Sequence, residues 1–267
     1  MAKFSIDVSP SKIIDLSYPL QPGMTLMKPV YPDLEYITPA DSRPEIDNTG
    51  YPLNGYFARF VTNGPNGLLE LYGTHVEASS HAFGTRGLNI NDYPMNSFVG
   101  PGVVIDATNR VVSDPGYKIG LDNLLDWEVK HGRIPDGAIL ILKTGWGERW
   151  GDYNAFLGIS PDGSRHIPGI SPDACRWLVD NRHINAIGTE TATIDGQPHA
   201  DVPGYPAGRL PHEIAREIIM QPPHNILIIE YMANVDRLPE AGSVIVCAPV
   251  NFVGGSGGMV RGIAFLP

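Results

Sequence analysis

Short apolar runs recur through the second two-thirds of the chain and predict β-strands. Strands covered on both faces of a sheet are nearly continuous in apolar residues, whereas half-exposed strands alternate apolar and polar residues. Five segments have strand length and this continuous character: residues 102–106, 137–143, 184–188, 225–230 and 243–248. We therefore expect these strands in the interior of a sheet that is covered on both sides.

Amphipathic segments between these runs predict helices. Residues 121–130 have a helical pattern that stops at a glycine. Ser171-Pro172-Asp173 opens a second helix, since Ser caps a helix, Pro suits its first position and Asp suits its dipole. A third helix begins near residues 211–213. Helices interleaved with buried strands indicate an α/β protein, and we expect residues 1–267 to form a single domain.

Composition and charge exclude some partners. The 267-residue chain has a formal net charge of −10, so it lacks the positive field that attracts nucleic acid or anionic membranes. Cys175 and Cys247 lie in apolar segments, which predicts buried free thiols and a reducing compartment. The N-terminus shows no signal-peptide pattern and no segment has the apolar length of a membrane span. A cytoplasmic protein is expected.

The densest chemical signal is the segment from Leu71 to His81, which contains three side chains able to bind a metal. His75 and Glu77 are two residues apart, so an extended strand would place them on one face. Imidazole and carboxylate groups in that arrangement are common metal ligands. His81 follows four residues later. The alternative is a set of solvated or hydrogen-bonded side chains, and spacing alone leaves both open.

Two later segments carry further candidates. Leu210-Pro211-His212-Glu213 contains a histidine at the predicted start of a helix, and Glu230 ends the apolar run Ile-Leu-Ile-Ile. A carboxylate buried at the end of such a strand needs a cation, a metal or several donors. The alternative is a glutamate at the solvent end of the strand.

Aromatic side chains after the second predicted strand are candidates for stacking on a planar substrate. Trp146 leads this group, with Tyr72 and Phe57 as further candidates for the same wall. Ordinary core packing is the alternative for each of them.

The segment Gly73-Thr74-His75-x-Glu77-x-Ser79-x-His81 resembles the motif His-x-Gly-Thr-His-x-Asp-x-Pro-x-His. That motif belongs to the cyclase family of metal-dependent hydrolases, which includes kynurenine formamidases and isatin hydrolase-like proteins. Other segments resemble the family in the same order along the chain: 14–17, 22–24, 143–146, 168–171, 187–190, 194–195, 210–212, 229–234 and 261–264.

The resemblance implies a fold and a ligand set. The fold is a single-domain swivelling β/β/α cyclase-type α/β fold, with a mixed, barrel-like sheet and flanking helices. The implied metal ligands are His75, Glu77, His212 and Glu230. Leu71 stands where the family has a further histidine ligand. Because leucine binds no metal, one zinc or manganese ion per chain is favoured over two.

The resemblance also implies a reaction. The metal lowers the pKa of a water molecule and polarises a carbonyl, so an amide, cyclic amide, ester or lactone bond of a small, aromatic or cyclic substrate is cleaved. His81 matches the general acid/base, and Glu230 is assigned a catalytic role besides its role as a ligand. A homodimer or homotetramer is implied too. The alternative is an inactive family member that binds a small molecule or serves as a scaffold.

Overall fold

The computed structural model of the chain describes residues 6–21, 24, 33–37, 57–61, 70–196 and 214–267. Each of the five predicted apolar runs contains a strand there. The runs at 137–143 and 225–230, for instance, contain the strands Ile139–Lys143 and Leu227–Glu230. Every residue of these two strands is buried except Lys143, which is half-buried. The prediction of strands covered on both faces is confirmed for these runs.

Nine of the described strands form one strongly curled mixed sheet. The described strands are β1 Ile13–Asp15, β2 Asp33–Ile37, β3 Phe57–Val61, β4 His75–Glu77, β5 Val99–Asp106, β6 Lys118–Ile119, β7 Ile139–Lys143, β8 Gly169–Ile170, β9 Ala186–Thr189, β10 Leu227–Glu230, β11 Val244–Val246, β12 Gly257–Met259 and β13 Ile263–Phe265. The order of the nine strands in the sheet is β1-β13-β11-β5-β7-β9-β10-β4-β12. The four central strands β5, β7, β9 and β10 run parallel, and the remaining pairings of this sheet are antiparallel.

The described residues contain six α-helices. They are α1 Ser80–Phe83, α2 Thr108–Ser113, α3 Leu121–His131, α4 Tyr153–Phe156, α5 Pro172–Asn181 and α6 Ile214–Met220. Of these, α3 contacts the parallel strand β5 and α6 contacts the parallel strand β10. The predicted cap of α5 is confirmed, because the Ser171 hydroxyl accepts a hydrogen bond from the Ala174 N–H at 3.2 Å. The third predicted helix corresponds to α6, whose described part starts at Ile214.

Two hydrophobic cores lie on opposite faces of the sheet. Within β10, Ile229 points into one core, together with Val76 of β4, and Ile228 points into the other. This alternation follows from the two-residue period of a strand. Side chains at 75, 77, 228 and 230 therefore share the face that α6 covers.

The expected fold class is confirmed: the protein is a mixed α/β structure with a barrel-like sheet and flanking helices. Both cysteines are buried free thiols, as predicted. None of the helices in the described residues is long and apolar enough to cross a membrane. The single-domain organisation stays a prediction.

Candidate metal centre

Strand β4 brings the candidate ligands together through its pairing with β10. The antiparallel register places His75 directly opposite Glu230 and Glu77 opposite Ile228. His75 and Glu77 share a face because they are two residues apart, and Glu230 joins them from the neighbouring strand. Three polar side chains thereby meet on the sheet face that carries α6.

β4 begins and β10 ends at the same edge of the strand pair, next to this cluster. Gly73, just before β4, has φ +65°, a left-handed conformation that glycine adopts without strain. Tyr231, just after Glu230, has φ +57°, and the Thr74 hydroxyl donates to the Tyr231 carbonyl at 2.6 Å. The turns therefore set where β4 begins, at His75, and where β10 ends, at Glu230.

His75, Glu77 and Glu230 form a compact buried cluster. His75 Nε2 lies 3.6 Å from Glu77 Oε1 and 3.6 Å from Glu230 Oε2. One ligand atom from each residue lies within 4.8 Å of the others. All three side chains are essentially inaccessible to solvent. Burying this much charge is costly unless cations compensate it.

The hydrogen bonds of His75 decide which nitrogen faces the cluster. Its Nδ1 lies 2.8 Å from the Gly73 carbonyl oxygen, and a carbonyl can only accept, so Nδ1 carries the proton. The neutral ring then presents the lone pair of Nε2 to the carboxylates. Within the described residues, His75 Nε2 and Glu77 Oε2 are buried atoms without a hydrogen-bond partner. These two open positions fit a divalent cation.

A buried arginine completes the cluster, and the sequence analysis did not identify it. Arg216 on α6 donates from one terminal nitrogen to Glu77 Oε1 at 3.0 Å and from the other to Glu230 Oε1 at 2.7 Å. Arg216 is only 7% exposed to solvent. One signal was available: Arg216 shares a helical face with the apolar Ile219 and Met220, where a charge is uncommon.

The two carboxyl groups differ in their protonation. Burial acts to raise the pKa of Glu77, but the Arg216 guanidinium and the nearby histidines lower it to about 2. Burial and the charge of Glu77 raise the pKa of Glu230 well above its usual range, although Arg216 opposes this. The two pKa values are thereby pushed in opposite directions, and Glu77 is the carboxyl group that ionises more readily.

His81 lies at the solvent edge of the cluster. Its Nε2 is 3.7 Å from Glu77 Oε1, and its side chain is 34% exposed. Burial lowers the pKa of His81, with Arg216 acting in the same direction and Glu77 in the opposite one. The imidazole is therefore neutral near pH 7 and able to accept a proton.

A second hydrogen-bonded pair orients the His81 ring. Ser256 donates its hydroxyl proton to Glu70, so its oxygen is left to accept from His81 Nδ1 at 3.4 Å. His81 then carries its proton on Nδ1 and directs the lone pair of Nε2 towards the cluster. Glu70 thus contacts His81 through Ser256, and it is not part of the group formed by His75, Glu77 and Glu230.

Two further positions correspond to ligands of the family, Leu71 and His212, and the structure describes only Leu71. Leu71 is buried against Gly257, the residue opposite Glu77 in β12. A Cβ atom at Gly257 would lie 2.3 Å from Leu71 Cδ2, so leucine methyl groups fill the space beside Glu77. His212 lies outside the described residues, two positions before α6, and its role as a ligand stays a prediction.

The predicted aromatic wall is divided between the core and a cavity. Trp146 has no accessible surface, and its indole N–H donates to the Phe156 carbonyl at 2.7 Å, so it packs the core. Tyr72 borders a cavity of about 700 Å³. Phe57 lies in β3, and its side chain is outside what the structure describes.

A buried histidine and two buried carboxylates, with open positions on His75 Nε2 and Glu77 Oε2, lie beside a solvent-edge histidine on a curled mixed sheet. This is the type of site found in metal-dependent hydrolases. The chain belongs to the cyclase family, whose model matches residues 14–196. The family resemblance drawn from the motif is thereby confirmed.

Individual relatives agree with this assignment. The chain is 29% identical to the isatin hydrolase of Roseibium aggregatum over 203 residues, 74% of this chain and 72% of that protein. It is similar to the structure of isatin hydrolase A from Ralstonia solanacearum, with 28% identity, full coverage of both chains and a TM-score of 0.74. A further isatin hydrolase, bound to the product analogue thioisatinate, has 25% identity, covers 96% of this chain and 92% of that one, and has a TM-score of 0.74.

These relatives support a hydrolase activity. Together with the cluster of His75, Glu77 and Glu230, they indicate a divalent metal ion. The donor set of one nitrogen and carboxylate oxygens suits both zinc and manganese. The choice between these two metals belongs to the proposal below.

Proposed function

We propose that this protein is a metal-dependent hydrolase that opens the ring of an aromatic cyclic amide of the isatin type. The proposal is carried by one observation: His75 Nε2 and Glu77 Oε2 are buried, open and next to Glu230. Three isatin hydrolases among the relatives support the substrate class.

His75, Glu77 and Glu230 would hold one divalent ion, with His212 as the further predicted ligand. When bound, the ion supplies Lewis acidity, which lowers the pKa of water and polarises the substrate carbonyl. Manganese is the first choice to test, since two carboxylates and one imidazole favour oxygen-preferring ions. The backbone carbonyl of Gly73 keeps His75 in the tautomer that this role needs.

His81 would move the proton of the reaction. The oxygen of one water bonds to the carbonyl carbon of the substrate, and the C–N bond of the ring breaks. The ring-opened product carries the nitrogen as an amine and the former carbonyl group as a carboxylic acid. His81 Nε2 accepts a proton from the water and donates one to the departing nitrogen, which is general acid/base catalysis. Ser256 and Glu70 keep Nε2 free for this transfer.

The cavity beside β4 would hold the substrate, since its lining adjoins the cluster through Thr74 and Met259. It has a volume of about 700 Å³, and its lining includes Tyr18, Tyr72, Thr74 and Met259. Thr74 precedes His75 in the chain, and Met259 is the partner of His75 in β12. Aromatic walls of this kind stack on planar rings.

The test is a substrate screen with metal-free protein reconstituted separately with Mn²⁺ and Zn²⁺. We expect ring opening of isatin to exceed the hydrolysis of an aryl formamide and of an aromatic lactone. His75→Ala with the same added metal serves as the control. Equal activity in the chelator-treated and reconstituted protein would contradict the proposal.

The screen also decides the alternative of an inactive binding protein. If no substrate turns over with either metal, while isatin or its ring-opened product still binds, the chain is a binding protein. The open positions on His75 and Glu77 favour the enzyme, because a binding protein has no need for uncompensated buried ligand atoms.

A further inference from the structure

The guanidinium of Arg216 lies where it compensates both carboxylates of the candidate metal centre. It donates to one oxygen of Glu77 and to one oxygen of Glu230, at 3.0 and 2.7 Å. Arginine keeps its charge at every accessible pH, and its planar fork binds two acceptors at once. The cluster therefore contains a permanent cation before any metal enters it.

Arg216 is also held firmly in this place. Asp195 Oδ1 accepts hydrogen bonds from the backbone N–H groups of Ala215 at 2.6 Å and Arg216 at 3.4 Å. Residues Ala215, Ile219 and Met220 bury the same side of α6 in the core. The guanidinium is thus fixed by the helix that carries it, and it cannot swing into solvent without moving that helix.

A metal ion and a guanidinium make different demands on their surroundings. A divalent ion needs several ligand atoms around it, and neighbouring side chains supply them as nitrogen or oxygen atoms with a lone pair. A guanidinium needs only acceptors. Leu71 offers no lone pair beside Glu77, and Arg216 offers a charge that requires none. The two residues are therefore complementary features of one site.

We propose that Arg216 takes the place of one divalent cation in this cluster and limits the site to a single metal ion, an inference that rests on the metal-dependent function proposed above. Glu77 Oε1 and Glu230 Oε1 are engaged by arginine. Glu77 Oε2 and His75 Nε2 remain open for the single ion. The positive charge of Arg216 also weakens the binding of that ion, because like charges repel strongly at short range in a buried site.

Metal binding to five proteins tests this inference without measuring activity. They are the parent, Arg216→Met, Arg216→Lys, Leu71→His and the double variant Leu71→His/Arg216→Met. Manganese per chain is measured by elemental analysis, and affinity by titration calorimetry of metal-free protein. Arg182→Met is the matched control, since Arg182 is a partly buried arginine that pairs with Glu128 elsewhere.

We expect one ion per chain in the parent, in Leu71→His and in the Arg182→Met control. Arg216→Met should bind its ion about tenfold more tightly or better, because the repelling charge is removed. Arg216→Lys keeps a charge and should stay near the parent. The double variant should bind two ions, because it gains a ligand and loses the competing cation.

Two results would overturn the inference while leaving the proposed function standing. One is a parent or Leu71→His protein that binds two ions with Arg216 in place. The other is an Arg216→Met protein with the affinity of the parent, together with a double variant that still binds one ion. A parent that binds no metal would instead contradict the proposed metal-dependent function, and with it the inference that a single ion binds beside Arg216.

Arg216→Met leaves two buried carboxylates without a cation, so its metal-free form is the one at risk of unfolding. Arg216→Gln is the second variant, since its amide still donates a hydrogen bond but has no charge. Its thermal midpoint is measured with and without Mn²⁺. A larger rise with Mn²⁺ than in the parent supports the inference, and an equal rise overturns it.

Discussion

Two buried carboxylate sites lie on neighbouring strands of this protein and are stabilised in different ways. At the end of β9, Glu190 accepts from the Thr144 N–H and hydroxyl and from the Gly145 N–H with one oxygen, and from the Gly147 N–H with the other. At the end of β10, the charged guanidinium of Arg216 bridges Glu230 and Glu77 instead. The first site is closed by neutral donors, whereas the second keeps open ligand atoms.

The difference shows what separates a structural carboxylate from a candidate ligand. Backbone donors surround Glu190 and leave both of its oxygens engaged. Glu77 has one oxygen engaged and the other without a hydrogen-bond partner among the described residues. A buried polar atom without a partner is costly. Such an atom is retained when it has a function such as binding a cation.

The pKa values of the two sites follow the same contrast. Burial raises the pKa of Glu190, although four hydrogen bonds oppose the shift. In the other site, Arg216 lowers the pKa of Glu77 to about 2 despite complete burial. The charged partner thus keeps Glu77 ionised, whereas the pKa of Glu230, which binds the same arginine, is raised by burial and by the charge of Glu77.

The largest effect is expected when a ligand is removed from the open site, the cluster of His75, Glu77 and Glu230. His75→Ala should lose bound metal and lower kcat/KM roughly 10³-fold, since the ion contributes several kcal/mol to the transition state. Elemental analysis and steady-state kinetics measure the two effects. The fold should persist, as judged by circular dichroism. Unchanged metal content in the variant would show that His75 is not a ligand.

His81 tests the solvent edge of the open site. His81→Ala should keep its metal and lose roughly 10²-fold in kcat, the scale of lost general acid/base catalysis. Substrates with good leaving groups should lose less, because they need little protonation on departure. Kinetics and elemental analysis on the same preparation distinguish the possible roles. Loss of metal would make His81 a ligand, and full activity would leave it without a role.

Asp195, beneath Arg216, gives the open site a pH dependence in the metal-free protein. Burial raises the pKa of Asp195 from 3.8 to about 7, although Arg216 and two N–H groups oppose it. Because the folded state binds this proton more tightly than the unfolded state, protonated Asp195 stabilises the fold. The stabilisation is fully present below pH 3.8 and is lost as the pH rises through about 7. The raised pKa of Glu230 acts in the same direction.

Asp195→Asn should therefore weaken this dependence without abolishing it. We expect the thermal midpoint of the metal-free parent to fall by several degrees between about pH 4.5 and 7, and that of the variant to fall less. Thermal denaturation in chelator measures both. Below pH 4.5 the lowered pKa of Glu77 destabilises the parent in the opposite direction. Parallel curves for parent and variant between pH 4.5 and 7 would show that Asp195 titrates as in the unfolded chain.

The smallest expected effect concerns the closed site. Glu190→Gln places an amide N–H₂ against one of the surrounding donors, which should cost roughly 1–2 kcal/mol of unfolding free energy. Metal content should not change, because Glu190 is not part of the cluster. Chemical denaturation and elemental analysis test both statements. A loss of metal in this variant would mean that the two sites are coupled.

Much of the fold was predictable from local pattern. The apolar runs at 137–143 and 225–230 became β7 and β10, and the cap at Ser171 opened α5. These predictions held because strand length, capping and burial are short-range properties of the chain. The grouping of His75 with Glu77 was predictable for the same reason, as it needs only the two-residue period of a strand.

Other parts of the site were not predictable in this way. Trp146 was expected as a candidate wall residue, and its position at the end of β7 instead buries it with Phe156. Spacing cannot distinguish an aromatic residue in a cavity from one in the core. The sequence analysis missed Arg216 because a charged residue in a short helix is normally expected to face solvent, although its neighbours on the helix are apolar.

The amino-acid sequence by itself determined the strands and the cap of α5, because each depends on residues close together in the chain, and a series of short motifs in order indicated the family. The tertiary structure decided the charge of the site. Arg216 is 139 residues from Glu77 in sequence and only 3.0 Å from it in space. Its contact depends on the β4–β10 register and the docking of α6, and such long-range pairing is not encoded in any local pattern.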